Sequence, residues 1–242
     1  MRVLCWFSCG AASAYAAKLA VEKYGDSCEI VYCDTLAYEH PDNVRFMSDV
    51  EAWTGKDIKL LRSDKYKDIY DVFDKTGWLV GPAGARCTTE LKKKIRRSYQ
   101  KENDLHIFGF TSEEGNRIKK LKIGEPDLTC EFPLYERGIT KRNCLEALYK
   151  ANIEIPAMYR LGYSNNNCIG CVKGQSGYWN KIRRDFPEVF NKMAQQERKM
   201  NAAINKRYEN KKRIRVFLDE LPPNVGIYES EPDIECGVLC LM

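Results

Sequence analysis

Val3-Leu4-Cys5-Trp6-Phe7-Ser8-Cys9-Gly10-Ala11-Ala12-Ser13, continued by residues 14–24, reads as a short apolar strand, a tight turn of small residues and a helix. The alternation continues downstream. Residues 29–33 form a second apolar run that ends in Asp34-Thr35, and after Pro41 the amphipathic stretch 44–54 reads as the next helix. Residues 58–61 and 105–110 are the third and fourth strand-like runs. Strands alternating with helices imply parallel pairing through right-handed crossovers, hence an α/β fold with a doubly wound, mostly parallel sheet. Ligands on such sheets bind beyond the carboxyl ends of the strands, which would gather the loops at Ser8, Asp34 and Gly109.

From about residue 133 the pattern changes. Helical segments are expected at 141–151 and 178–184, with a long polar helix over 187–213, after which Pro222-Pro223 leads into a tail containing Glu235-Cys236-Gly237-Val238-Leu239-Cys240. The expected division is residues 1–132 as the α/β domain that carries the turn, and 133–242 as a smaller helical region with a Cys-x-x-Cys loop and the tail. There is no internal repeat and no low-complexity linker. At 242 residues and 44% hydrophobic content the chain can fill a sizeable core. No run approaches the ~18 to 20 apolar residues of a membrane span, and no secretory leader pattern opens the sequence, so a cytoplasmic protein is expected. In a reducing compartment 11 cysteines, an odd number, point to metal binding or thiol chemistry rather than to disulfides. The formal charge of +5 suits an anionic small molecule as well as nucleic acid.

Three groups of residues carry chemistry. The Ser8 to Ser13 turn lets backbone N–H groups and a helix dipole face an anion, although any tight strand-to-helix turn favours small residues. Cys168-Ile169-Gly170-Cys171 has the spacing that lets two thiolates reach one metal centre from a tight turn. Cys236 sits on the tail after Pro222-Pro223, where a free cysteine either meets other groups on a mobile segment or packs in an apolar groove. A fourth feature is the basic set Arg183, Arg184, Lys206, Arg207, Lys211, Lys212, Arg213 and Arg215 with Tyr178, Trp179 and Tyr208, which suits nucleic acid and equally a solvated helix face.

Taken in order along the chain, these segments resemble the PP-loop superfamily, and within it the PAPS and APS reductases. Phe7-Ser8-Cys9-Gly10-Ala11-Ala12-Ser13 is similar to the SGGxDS loop, with Cys9 in place of a glycine and Ala12 in place of the aspartate of ATP-cleaving members. Asp34-Thr35-Leu36 with Glu39-His40-Pro41, and Gly109 through Glu114 with Arg117, resemble the segments that contact the nucleotide. The resemblance therefore implies an adenine nucleotide (APS, PAPS or ATP) held by Ser8, Cys9, Gly10, Ala11, Ser13, Asp34, Thr35, Gly109 and Arg117. Asp34 has a rival role as a turn or capping residue, and His40 as a solvated loop histidine. Arg86-Cys87-Thr88-Thr89-Glu90-Leu91-Lys92 resembles the CCxxLK segment of iron-sulfur APS reductases, with Thr88 where a second cysteine would stand. This implies a [4Fe–4S] cluster on Cys87, Cys168 and Cys171, with zinc or plain reduced thiols as alternatives, and a fourth donor from solvent, sulfide, Cys130, Cys144 or Cys240. Phe132-Pro133-Leu134 and the following helix belong to the same pattern, and Glu235-Cys236-Gly237 resembles the ECGLH tail, with Leu239 in place of histidine. From that follow Cys236 as attacking thiol, Lys92 as a cation beside the substrate's anionic groups, Cys240 as a resolving thiol, and a thioredoxin-like reductant as partner. The alternatives are an ATP-dependent sulfur-transfer enzyme acting on tRNA or DNA, and a non-catalytic nucleotide-binding protein.

Overall fold

The computed structural model describes residues 1–81 and 84–236. Its centre is a five-stranded, all-parallel sheet: β1 (Val3–Phe7), β2 (Cys28–Cys33), β3 (Ile58–Leu61), β4 (Leu105–Phe108) and β5 (Cys130–Glu131). The order is β3-β2-β1-β4-β5, with Val3 level with Cys28 on one side and Leu105 on the other. β1 lies mid-sheet and all five of its residues are buried, as its unbroken apolar run requires of a parallel strand covered on both faces. Val3, Cys5 and Phe7 enter a core with helices Ala11–Tyr24, Asn43–Thr54 and Lys141–Lys150. Leu4 and Trp6 face the opposite way, into a core shared with helix Gly115–Gly124 and the end of the helical segment 86–99. A third core joins 66–91 to 158–221, with Trp179 at its middle. Residues on each side of position 132 thus contribute to the first and third cores. Among the described residues no helix is long and apolar enough to cross a membrane.

Several boundaries differ from expectation. The first helix begins at Ala11, because Gly10 in extended conformation already accepts its first hydrogen bond from Ala14. The fourth strand stops at Phe108, before Gly109. The long helix expected over 187–213 is instead Pro187–Met200, followed by an antiparallel hairpin of Asn205–Glu209 and Lys212–Val216. Asn201 closes the helix in the left-handed conformation (φ 48°). A left-handed pair, Asn210 and Lys211, then makes the tight hairpin turn. The basic run therefore lies on a two-stranded ribbon, and Tyr178 and Trp179, expected among those bases, are core residues at 3% and 0% exposure.

One buried contact gives the fold a pH dependence. Trp6 Nε1 donates to Nδ1 of His106 at 3.0 Å, and the imidazole stacks on both Trp6 and Phe108. Burial, reinforced by nearby Arg96, pushes the His106 pKa down to about 4. The unfolded chain takes up this proton near pH 6.5 and the folded chain only near 4, so stability is fully present above 6.5 and falls across that interval, by on the order of 3 kcal/mol. Urea midpoints measured between those pH values should show that loss, and His106→Gln should remove most of it; an unchanged slope in the variant would assign the acid sensitivity elsewhere.

Candidate functional site

At the carboxyl ends of β1, β2 and β4 lies a cavity of about 540 Å³, within the range that holds a small organic ligand. β1 lies between the neighbours from which the chain crosses over in opposite directions, the switch point where open α/β sheets bind ligands. Its floor is the turn Ser8–Ser13. Cys9 adopts the left-handed conformation (φ 57°), and the helix starts two residues later. Ser13 Oγ accepts from the amides of Ser8 (3.1 Å) and Gly10 (3.3 Å), and the Ala11 amide is directed to the Tyr159 hydroxyl at 3.4 Å. An anion at Ser8 and Gly10 would have to displace the Ser13 hydroxyl. The amides of Ala12 and Ser13, in the first turn of a 14-residue helix, have no partner among the described residues. Gly109 closes against this turn: a Cβ there would lie 2.8 Å from Ser13 Cα and 2.9 Å from the Ala12 carbonyl oxygen, so any side chain would push the turn away.

Lys92 supplies another part of the cavity lining. Residues Thr89–Lys93 form a π-helical turn inside the helical segment 86–99, and this widening accompanies the burial of Glu90, Leu91 and Lys92 together. Glu90 is paired with Lys94 and Arg86. Lys92 is 9% exposed, lines the cavity and has neither a hydrogen bond from its ammonium nor an ion pair among the described residues. Burial works against its charge, but Cys236, Cys168 and the carboxyl of Glu39 outweigh it and hold the pKa above that of an ordinary lysine. Arg117 also lines the cavity, over the Phe110 ring at 4.5 Å and paired with Glu114.

Residues Tyr228 to Cys236 are strapped down, where the sequence suggested a tail free to swing. Glu231 accepts from the amides of Gly177 (2.5 Å) and Tyr178 (3.0 Å), Asn167 donates to the Ile234 carbonyl at 3.0 Å, and Lys173 to that of Glu235 at 2.8 Å. These contacts bring Cys236 to the cavity lining, with its Sγ 3.7 Å from Thr88 Oγ1. Cys87, Cys168 and Cys171 lie close enough to Cys236 to act on it electrostatically. Gly170, left-handed at φ 75°, turns the Cys168–Cys171 loop. Burial raises the pKa of Cys87 to about 12 and pushes those of Cys168 and Cys171 up as well. Burial acts on Cys236 too, but Lys92, Lys173 and the Thr88 hydroxyl together bring it below an ordinary thiol.

Of the residues expected at the site, Ser8, Gly10, Ser13, Lys92, Gly109, Arg117 and Cys236 line this cavity. Four others do not. Cys9 is buried with its Sγ 3.8 Å from the Asn43 carbonyl, and Ala11 packs in the first core. Asp34 accepts from the Leu36 amide at 3.1 Å and pairs with Arg62, which is the turn role considered as its rival. Thr35 is buried and donates to Glu39 at 2.6 Å. His40 accepts from the Asp42 amide and is not in the lining. Cys130 sits on the edge strand and Cys144 in the first core, both away from the other thiols, so neither completes the group. Cys240 lies outside the described residues.

Sequence reasoning missed Tyr159 and Asn166 as lining residues, and Glu39, from the segment expected at the nucleotide, also lines the cavity. Asn166 donates from Nδ2 to the Cys9 carbonyl (2.6 Å) and to Asn43 Oδ1 (2.8 Å), and Asn43 in turn donates to Glu39 (2.6 Å). The thiol loop is thereby tied to the anion turn. The signal was the run Asn165-Asn166-Asn167 before Cys168, whose amides can bond backbone groups that no apolar residue could satisfy. No protein-family model matches the chain, and no curated protein matches it.

Proposed function

We propose that the chain is a PP-loop-type, sulfonucleotide reductase-like enzyme that binds an adenylylated sulfate and reduces it through Cys236. The observation that carries this is the convergence in one cavity of free first-turn amides at Ala12 and Ser13, an unpartnered Lys92 ammonium and the Cys236 thiol. Two of these attract anionic groups, and the third is a soft nucleophile with a depressed pKa. In the proposed reaction the Cys236 thiolate attacks the sulfur of the bound sulfate. An S–Sγ bond forms, the bond from sulfur to the bridging oxygen breaks, and the adenylate leaves with that electron pair. A dithiol of thioredoxin type then attacks Sγ, releasing sulfite and closing to a disulfide as it is oxidised. Ala12, where ATP-cleaving relatives carry an aspartate, supports a substrate that arrives already activated. The test is anaerobic incubation of the full chain with APS or PAPS and a dithiol: stoichiometric sulfite and adenylate are expected, and binding without either product would leave only a nucleotide-binding protein.

The thiol group also supports a cofactor. Among the described residues no three metal-ligating side chains converge on a single ion, so the case for a cofactor rests on the soft donor type of these thiols. A multi-iron cluster spans more space and takes the same soft donors. Cys87, Cys168 and Cys171 would hold it, and when bound it would supply positive charge and electron capacity beside the cavity. Anaerobic preparations should contain iron and sulfide with a broad band near ~400 nm, and Cys87→Ser should lose most of both; zinc without iron would overturn the assignment.

A further inference from the structure

The ribbon formed by Asn205–Glu209 and Lys212–Val216 plays no part in the cavity. Its register puts Lys206 directly opposite Arg215, and Arg213 two residues further along the same face. Asn205 and Val216, on the other face, are buried, so Lys206, Arg213 and Arg215 face solvent, and all three are exposed. Lys211 and Lys212 add charge at the turn. None of these five has a carboxylate partner among the described residues, although many other cations of the chain are paired. Like charges directly across a strand pair destabilise it, so the ribbon carries a cost that an anionic partner would relieve.

The base of the ribbon is fixed. Glu197, fully buried, accepts from the Ile204 amide just before the first strand and, at 2.6 Å, from the Leu218 amide just after the second. Val216 and Leu218 pack in the third core. A rigid base with a projecting, charged, two-stranded tip has the shape that fits a nucleic-acid groove, and alternate residues on one face of a strand recur every ~6.8 Å, of the order of the step between phosphates.

We propose that this ribbon docks the sugar-phosphate backbone of a nucleic acid. An acidic protein is less well suited, since protein interfaces deplete lysine, whereas Lys206, Arg213 and Arg215 are the described side chains on the ribbon's solvent face. The proposal is independent of the reductase chemistry, because none of these residues lines the cavity.

Fluorescence anisotropy of the full chain with a short random-sequence DNA duplex and a single-stranded RNA, titrated from about 50 to about 200 mM salt, tests it. Binding should weaken steeply with salt. The triple variant Lys206→Gln, Arg213→Gln, Arg215→Gln should bind at least about ten-fold more weakly at low salt, with the log–log salt slope reduced by roughly 2 to 3, while nucleotide affinity at the cavity is unchanged. Should the triple variant fold poorly, Lys211→Gln with Lys212→Gln at the turn should reduce the slope by about 1 to 2. Absence of nucleic-acid binding at low salt, an unaltered slope in folded variants, or capture only by anionic lipid vesicles would each overturn it.

Discussion

Cys236→Ser is expected to lower the turnover of APS or PAPS by roughly ten-thousand-fold or more, while leaving their dissociation constants within about three-fold of the parent. Serine keeps the shape and the contact to Thr88, so the strap over the thiol loop should hold. What it removes is the sulfur electron pair and the acidity that Lys92 and Lys173 confer against burial. A serine hydroxyl at that position stays protonated and cannot form the S–Sγ bond. Equilibrium binding measured beside single-turnover chemistry separates the effects, and unchanged turnover removes Cys236 from the reaction. A second readout discriminates further. Cys236 Sγ lies beside Thr88, the residue next to Cys87, and is in electrostatic reach of Cys168 and Cys171. Iron retained in the variant assigns Cys236 to substrate; iron lost together with turnover assigns it to the metal centre and refutes the thiol mechanism.

The sheet was readable from residue pattern because parallel strands buried on both faces show as uninterrupted apolar runs, as Val3–Phe7 does. β5 escaped notice because two residues, Cys130 and Glu131, carry no periodicity. The ribbon was taken for a helix because lysine and arginine favour helices; the left-handed residues Asn201, Asn210 and Lys211 that end the helix and turn the hairpin are a backbone property which side-chain polarity conceals. At the site, Ser8, Gly10, Ser13, Gly109 and Arg117 were found because the loops that carry them follow strands and must meet at one edge. Asp34 and Thr35 follow a strand too, yet they turn to Arg62 and Glu39, since a polar side chain takes the nearest partner its backbone allows. The fixed tail was hidden because its anchors, Glu231 to the Ser176–Asp185 helix and Asn167 to Ile234, span more than fifty residues of sequence.

Lys92→Met should separate a binding cation from a structural one. A buried ammonium without a hydrogen bond or ion pair carries a desolvation penalty of several kcal/mol, which the charge of Cys236, Cys168 and Glu39 outweighs. Methionine fills nearly the same volume and gives up that cost together with the attraction that offsets it, so the unliganded variant should unfold close to the parent's temperature. If the charge of Lys92 chiefly supported the fold, the variant would instead melt well below the parent. The anionic substrate, by contrast, loses a charge-assisted contact in a site screened from water, worth about 1.5 to 3 kcal/mol, or roughly 10- to 150-fold in Kd. The loss should be shared by AMP, APS and PAPS if the ammonium meets the α-phosphate, and confined to APS and PAPS if it meets the sulfate. In the second case kcat falls as well, because the cation that draws the sulfate toward Cys236 also stabilises the charge that develops on its oxygens as the Sγ bond forms. Calorimetric titration of the three nucleotides against Lys92→Met, beside its melting curve, decides among these outcomes. A variant that melts lower and binds all three with parental affinity would place Lys92 in the scaffold and leave the first-turn amides as the sole anion site.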